Sequence, residues 1–201
     1  KGSYKPLFSK RSPGTKAIPS FTVKESTKEC SVAVLPIHNI SKDRNQDYFA
    51  DGLTEELTSE LSRYQELIVI ASQSTMRFKE RQIKHQDIGR ALGVRFLIEG
   101  SIRTDKKNLK VMIRLIDSRT AEQIWSESYK GKVTAADLID LQEEIAQAVV
   151  GKIADQFGSI TRKLALESRK TVPDTLQAYD AVLRFYDFEC KLTKEAFESV
   201  F

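Results

Sequence analysis

Apolar and polar positions divide the chain into runs of different period. Residues 31–35, Ser-Val-Ala-Val-Leu, form a short apolar run with β-branched members that stops at Pro36, which predicts a buried strand. From about residue 46 to 64, Phe49, Leu53, Leu57 and Leu61 recur every fourth position while Glu55, Glu56, Glu60 and Arg63 occupy the other face. That spacing predicts an amphipathic helix with one buried stripe. Residues 67–71 predict a second buried strand, and a polar stretch leads to a short helix near 84–92 with Gly93 as a left-handed cap. Strand, helix, strand, helix implies parallel pairing with right-handed crossovers.

The next forty residues change period from four to two. Phe96, Ile98 and Ile102 alternate with polar positions, as do Leu109, Val111, Ile113 and Leu115, and the break at Asp105-Lys-Lys-Asn108 predicts an antiparallel hairpin. Placing Thr104 opposite Leu109 sets Ile102 against Val111, Gly100 against Ile113 and Ile98 against Leu115. The opposite face then pairs Glu99 with Arg114, and a shift of one residue destroys both patterns.

A second turn at 118–121 leads into a third strand over 122–129. Pairing Asp117 with Glu122 places Ile124 opposite Leu115 and Trp125 opposite Arg114, so Glu99, Arg114 and Trp125 are expected to form a transverse row with an ion pair and a cation–π stack. Met112, Leu97, Ile116 and Tyr129 are expected on the same face, which is too apolar for plain solvent surface. Two readings compete for it. Either the following helix covers it, for which Thr134-Ala-Ala-Asp137 supplies a capping box and Leu138, Leu141, Ile145, Val149 and Ile153 a helical stripe, or Trp125, Arg114, Tyr129, Met112 and Glu99 form a partner-binding patch.

After Phe157 the basic residues Arg162, Lys163, Arg169 and Lys170 precede Val172-Pro-Asp-Thr175, where Pro in a first turn restarts helix. Residues 176–190 and 194–201 read as two helices with the aromatic and small-residue content of a helix-pair repeat onset. The expected fold is therefore α/β, a mixed sheet of about five strands in the order β-α-β-α-β-β-β-α, followed by a C-terminal helical pair. The expected domains are a basic linker over 1–29, an α/β domain over 30–158, and a helical connector with the start of a repeat over 159–201.

Charge alters this picture only at the N-terminus. The 201-residue chain carries net +4, but residues 1–30 hold seven Lys/Arg against two Glu, so the rest is at net −1. A basic segment bearing Pro, Gly and Ser is the pattern of a flexible linker, and no nucleic-acid binding is expected of this chain. No apolar run approaches the ~18 residues of a membrane span, so a membrane enters only through a segment outside this chain, which begins at Lys1 without Met and reads as an excised piece. Cys30 and Cys190 match no metal or redox spacing. They are expected as unpaired thiols.

Candidate chemistry is sparse. His38 and His85 are the two histidines, neither in a metal spacing. Asp51, Glu55 and Glu56 suit the start of a helix, whose dipole favours acids there. No phosphate-loop pattern occurs, so no catalytic residue, metal or cofactor is assigned. The loops after the parallel strands, where open α/β sheets bind ligands, contain Arg77, Lys79 and Arg81 as candidate anion contacts.

Taken together, Ser31-Val-Ala-Val-Leu-Pro36, Asp47-Tyr-Phe-Ala-Asp-Gly-Leu-Thr-Glu-Glu-Leu57, Ile88-Gly-Arg-Ala-Leu-Gly-Val94, Leu97-Ile-Glu-Gly-Ser-Ile-Arg103 and Leu115-Ile-Asp117 with Ile124-Trp125 resemble the TolB amino-terminal-like (FlgO-like) domain. The resemblance runs from about Cys30 to Gly151. It implies a regulatory middle domain set between a class III adenylate/guanylate cyclase or a winged-helix DNA-binding module and C-terminal tetratricopeptide repeats, and it carries over no catalytic residue. The family often has Gly in the turn before the last strand, where this chain has Ala121. The leading expectation is a non-catalytic regulatory or sensory domain of a bacterial cyclase-like signalling protein, meeting a protein partner or its own neighbouring domains. The alternatives are a small-ligand or nucleotide sensor, and the periplasmic sensor part of a membrane-anchored winged-helix regulator.

Overall fold

The computed structural model describes residues 29–41, 44–79, 82–105, 108–132, 138–156, 158–168 and 178–191. Its centre is a mixed sheet. The first strand, β1 (Ser31–Val34), is wholly buried and pairs in parallel with both β3 (Ile68–Ile70) and β4 (Phe96–Asp105). Strands β5 (Asn108–Asp117) and β6 (Glu122–Lys132) complete the order β3-β1-β4-β5-β6. A sixth strand, the two-residue β2 (His38–Asn39), runs parallel to β4 beyond Pro36. It exceeds the five expected, because a two-residue pairing leaves no period in the sequence.

Helix α1 (Asp47–Leu61) buries Phe49, Leu53, Leu57 and Leu61, each at most 1% exposed, against the main sheet face. Each such side chain stabilises the fold by about 1.5–3 kcal/mol relative to leaving it in water. Thr54 ties this helix to the strand ends: its Oγ1 accepts from the Ile37 amide at 3.1 Å and donates to the Ala50 carbonyl at 2.8 Å. On the second face, the short α2 (Ser72–Thr75) is followed by α3 (His85–Leu92), whose Ile88 packs with Ala33, Leu35, Val94 and Leu97. Gly93 ends α3 at φ 67°, the left-handed cap that the sequence predicts.

The β4–β5 register agrees with the alternation at every pair named above, Glu99–Arg114 included. The β5–β6 register departs from expectation. Asp117 faces Glu122, but a bulge between Leu115 and Ile116 absorbs Ile124, so Trp125 lies opposite Leu115 and Ser126 opposite Arg114. The turn feeding this bulge holds Ala121 at φ 59°, a left-handed backbone that suits Gly better than Ala.

The bulge sends Trp125 and Tyr129 to the main face, where with Ile124 they pack against the principal core. This explains where α4 (Leu138–Ile153) goes. Instead of covering the second face, its stripe of Ile145, Ala146, Val149, Val150 and Ile153 joins that core beside α1. Gln142 donates to the Phe49 carbonyl at 3.0 Å, and a Cβ on Gly52 would stand 2.5 Å from the Gln142 Nε2, so the Asp51-Gly52 pair marks the helix crossing. The capping box at 134–137 and the helix over 194–201 lie outside the described residues. Helices α5 (Ser159–Ser168) and α6 (Ala178–Lys191) extend the same core through Ile160, Leu164, Ala165 and Leu183.

Candidate functional site

The five residues expected to form one patch are divided between two faces. Glu99, Arg114 and Met112 stay on the second face: Arg114 Nη1 donates to Glu99 Oε1 at 3.1 Å, and its Nη2 lies 3.5 Å from Met112 Sδ. His85 joins them from the first turn of α3, its Nε2 2.9 Å from Glu99 Oε2. One carboxylate thus bridges a helix start and the adjacent strand. With Arg114 and Glu99 side chains 42% and 23% exposed, the ion pair contributes modestly, about 0.2–1 kcal/mol.

Trp125 and Tyr129 take no part in that cluster. The cation–π contact observed on β6 is made by Lys152, whose Nζ stands 5.9 Å from the Tyr129 ring centre while pairing with Glu127 at 2.5 Å. Burial first, and the Glu127 carboxylate second, push the Tyr129 phenol up to about 12. Its hydroxyl finds no hydrogen-bond partner within bonding geometry.

The loop cations expected to meet an anion are engaged within the fold. Lys79 Nζ lies 2.6 Å from Asp51 Oδ1, and Arg77 donates to the Ala91 carbonyl at 3.2 Å while lying over the Phe78 ring. Arg81 lies outside the described residues. Cys30 packs against the main core, and the Cys190 side chain is also outside them.

The strongest electrostatic feature of the described residues is centred on Arg95. Arg95, the residue before β4, is 1% exposed, and its Nε and Nη2 donate to Asp117 Oδ2 at 3.2 and 3.1 Å; Asp117 is itself 1% exposed. Two further carboxylates close on the same guanidinium: Glu29, just ahead of β1, and Glu167, in the last turn of α5. Arg119 binds Glu29 from outside at 2.7 Å. The backbone is fixed as well, since the Arg95 amide donates to Ser31 Oγ at 3.0 Å and the Arg95 carbonyl accepts from the Ser118 amide at 2.7 Å. Burial alone lowers the Arg95 pKa, but Glu167, Asp117 and Glu29 outweigh it, so the pKa is raised and the charge is permanent. The arrangement is a clamp. Its guanidinium is already satisfied by three carboxylates and is closed to a substrate. The sequence signal was a lone arginine at the head of an apolar run, with partners 22 to 72 residues away.

Comparison with known proteins fits a regulatory domain. The chain is 34% identical over 156 residues to a protein of Rhizobium meliloti (strain 1021) named putative adenylate cyclase 3, covering 77% of this chain and 25% of that protein. This chain therefore spans a quarter of that relative. Among solved structures, lipoprotein GNA1162 of Neisseria meningitidis is similar at 16% identity and TM-score 0.46, over 61% of this chain and 99% of its own. The C-terminal domain of LpoB from Salmonella enterica gives 17% and 0.42, over 52% and 84%. TolB of Acinetobacter baumannii gives 18% and 0.41, over 60% and 27%. Residues 28–148 match the HilA/YgeH-like transcriptional regulator second domain, and the chain belongs to that family.

Proposed function

We propose that this chain is a non-catalytic regulatory module that couples the part of a longer signalling protein ahead of it to a helical array behind it. The observation that carries the reading is the Arg95 clamp. One buried charge holds a carboxylate from the segment entering the sheet and another from the helix leaving it, with Asp117 as its fixed counterion. Displacing either flank takes one half-exposed carboxylate away from that charge, at about 0.2–1 kcal/mol each, while Asp117 stays in place. A rearrangement on one side is therefore felt on the other.

In this reading the effector upstream is a nucleotide cyclase or a winged-helix DNA-binding module, and the helices beyond α5 begin a tetratricopeptide-type array. The open half of the second face, with Glu99, Arg114 and Met112, is the surface offered to a protein partner or a neighbouring domain. The experiment is E29Q/E167Q in the full-length protein, which loosens both flanks and keeps the Arg95–Asp117 pair. The expected result is an altered output, nucleotide cyclisation or promoter binding, with an α/β core that still folds. Unchanged output in a folded variant contradicts coupling through the clamp. Cyclase turnover by the isolated chain contradicts the non-catalytic reading.

A further inference from the structure

Arg103, Lys110 and Lys130 stand opposite one another on β4, β5 and β6, and all three are exposed. They form a transverse row of three positive side chains on the second face. Adjacent strands are about 4.8 Å apart, so the row spans about 10 Å. Like charges directly opposed on a sheet repel and destabilise it. None of the three forms an ion pair or side-chain hydrogen bond with another described residue. Lys132 stands at the end of β6, opposite Asn108.

The row borders a concavity of about 340 Å³, which Asp105 and Asn108 also line. That volume is in the range of small-ligand sites. Asp105 opposes an anion with one negative charge, leaving the described lining at net +2. The floor is firm, because Leu141 of α4 packs beneath Gly131 so closely that a Cβ there would lie 2.9 Å from it.

We propose that this row binds a soluble anion with two or three linked phosphates, such as the polyphosphate of a nucleotide. Arg103 offers a planar fork for paired phosphate oxygens, and Lys110 and Lys130 supply point charges along the chain of phosphates. A row of about 10 Å ending in a concavity matches that length better than an extended phosphate track or a flat bilayer. The anion would relieve the repulsion that the row builds in. The inference does not depend on the Arg95 clamp.

The test is calorimetric titration of the whole chain with inorganic triphosphate and with ATP. Wild type is compared with K110E and with R162E, a charge-matched change at an exposed position of α5. The basic residues 1–28 are identical in all three proteins, so their background cancels. Expected are saturable binding by wild type, at least tenfold weakening in K110E and less than twofold in R162E. K110E should also melt no lower than wild type, since its carboxylate lies between two cations, and K110Q should weaken binding in the same direction. Equal weakening in K110E and R162E, no saturable binding by wild type, or binding only to phosphatidylserine-containing vesicles overturns the proposal.

Discussion

Replacing Arg95 with methionine removes the clamp's charge and keeps most of its stem, so packing over Phe96 changes little. The magnitude follows from what remains. Asp117 is left 1% exposed with its Oδ2 stripped of both guanidinium donors, although its Oδ1 still accepts from the Arg119 amide at 2.9 Å. Breaking a buried pair by removing one partner costs about 3–5 kcal/mol. At about 2–4 °C per kcal/mol for a chain of this size, the melting temperature should fall by about 6–20 °C. Glu29 and Glu167 are 50% and 41% exposed, so E29Q and E167Q should each cost only about 0.2–1 kcal/mol. The assay is urea unfolding followed by circular dichroism, with D117N added to complete a double-mutant cycle. Neutralising Asp117 in the R95M background should restore at least about 1 kcal/mol, a coupling typical of residues in direct contact. A loss below about 1 kcal/mol in R95M, or no recovery in the double variant, refutes the reasoning.

Four further substitutions probe β5, β6 and the turn between them. Y129F should stabilise by about 1 kcal/mol in thermal unfolding, because it deletes a buried hydroxyl that has no partner. The same tyrosine, raised from 10.0 to about 12, contributes stability that is present below pH 10 and is lost as pH climbs through 12; Y129F should lack that alkaline loss in a pH series of melts. A121G should stabilise by about 0.5–1 kcal/mol, the relief of a left-handed Ala less the added freedom of the unfolded chain, read by chemical denaturation. W125A should cost about 2–3 kcal/mol, below the full 3–5 for a wholly buried aromatic because Trp125 is only partly buried, whereas R114A should cost under about 1 kcal/mol. Equal effects of the two in denaturant would contradict the division of the patch between faces.

The contrast between the two hairpins shows what local sequence can carry. In β4–β5 strict alternation admits one register, and every opposed pair agrees with it. In β6 the two apolar residues Ile124 and Trp125 are adjacent, so alternation has two solutions, and the bulge that chooses between them depends on a turn with Ala in a left-handed conformation. That single shift moved Trp125 and Tyr129 under α4 and dissolved the expected row. Helix α1 was legible because its leucines repeat every fourth residue, and Gly93 because a cap follows a helix. The Arg95 clamp was not legible. Its carboxylates come from the entry to β1, the end of β5 and the end of α5, and only the folded sheet brings them within reach of one guanidinium. The anion row was hidden differently: Arg103, Lys110 and Lys130 read as ordinary solvated positions until the register aligns them.

Hydrogen–deuterium exchange of the E29Q/E167Q variant tests the coupling most directly. If Arg95 ties both flanks to the sheet, the amides of α5 and of the entry to β1 should exchange several-fold faster while those of β4 and β5 keep their wild-type protection, since loss of about 1 kcal/mol of local stability raises the open population about fivefold. Unchanged exchange in α5, or a uniform acceleration across the whole sheet, would contradict the clamp as the link between the two ends of the domain.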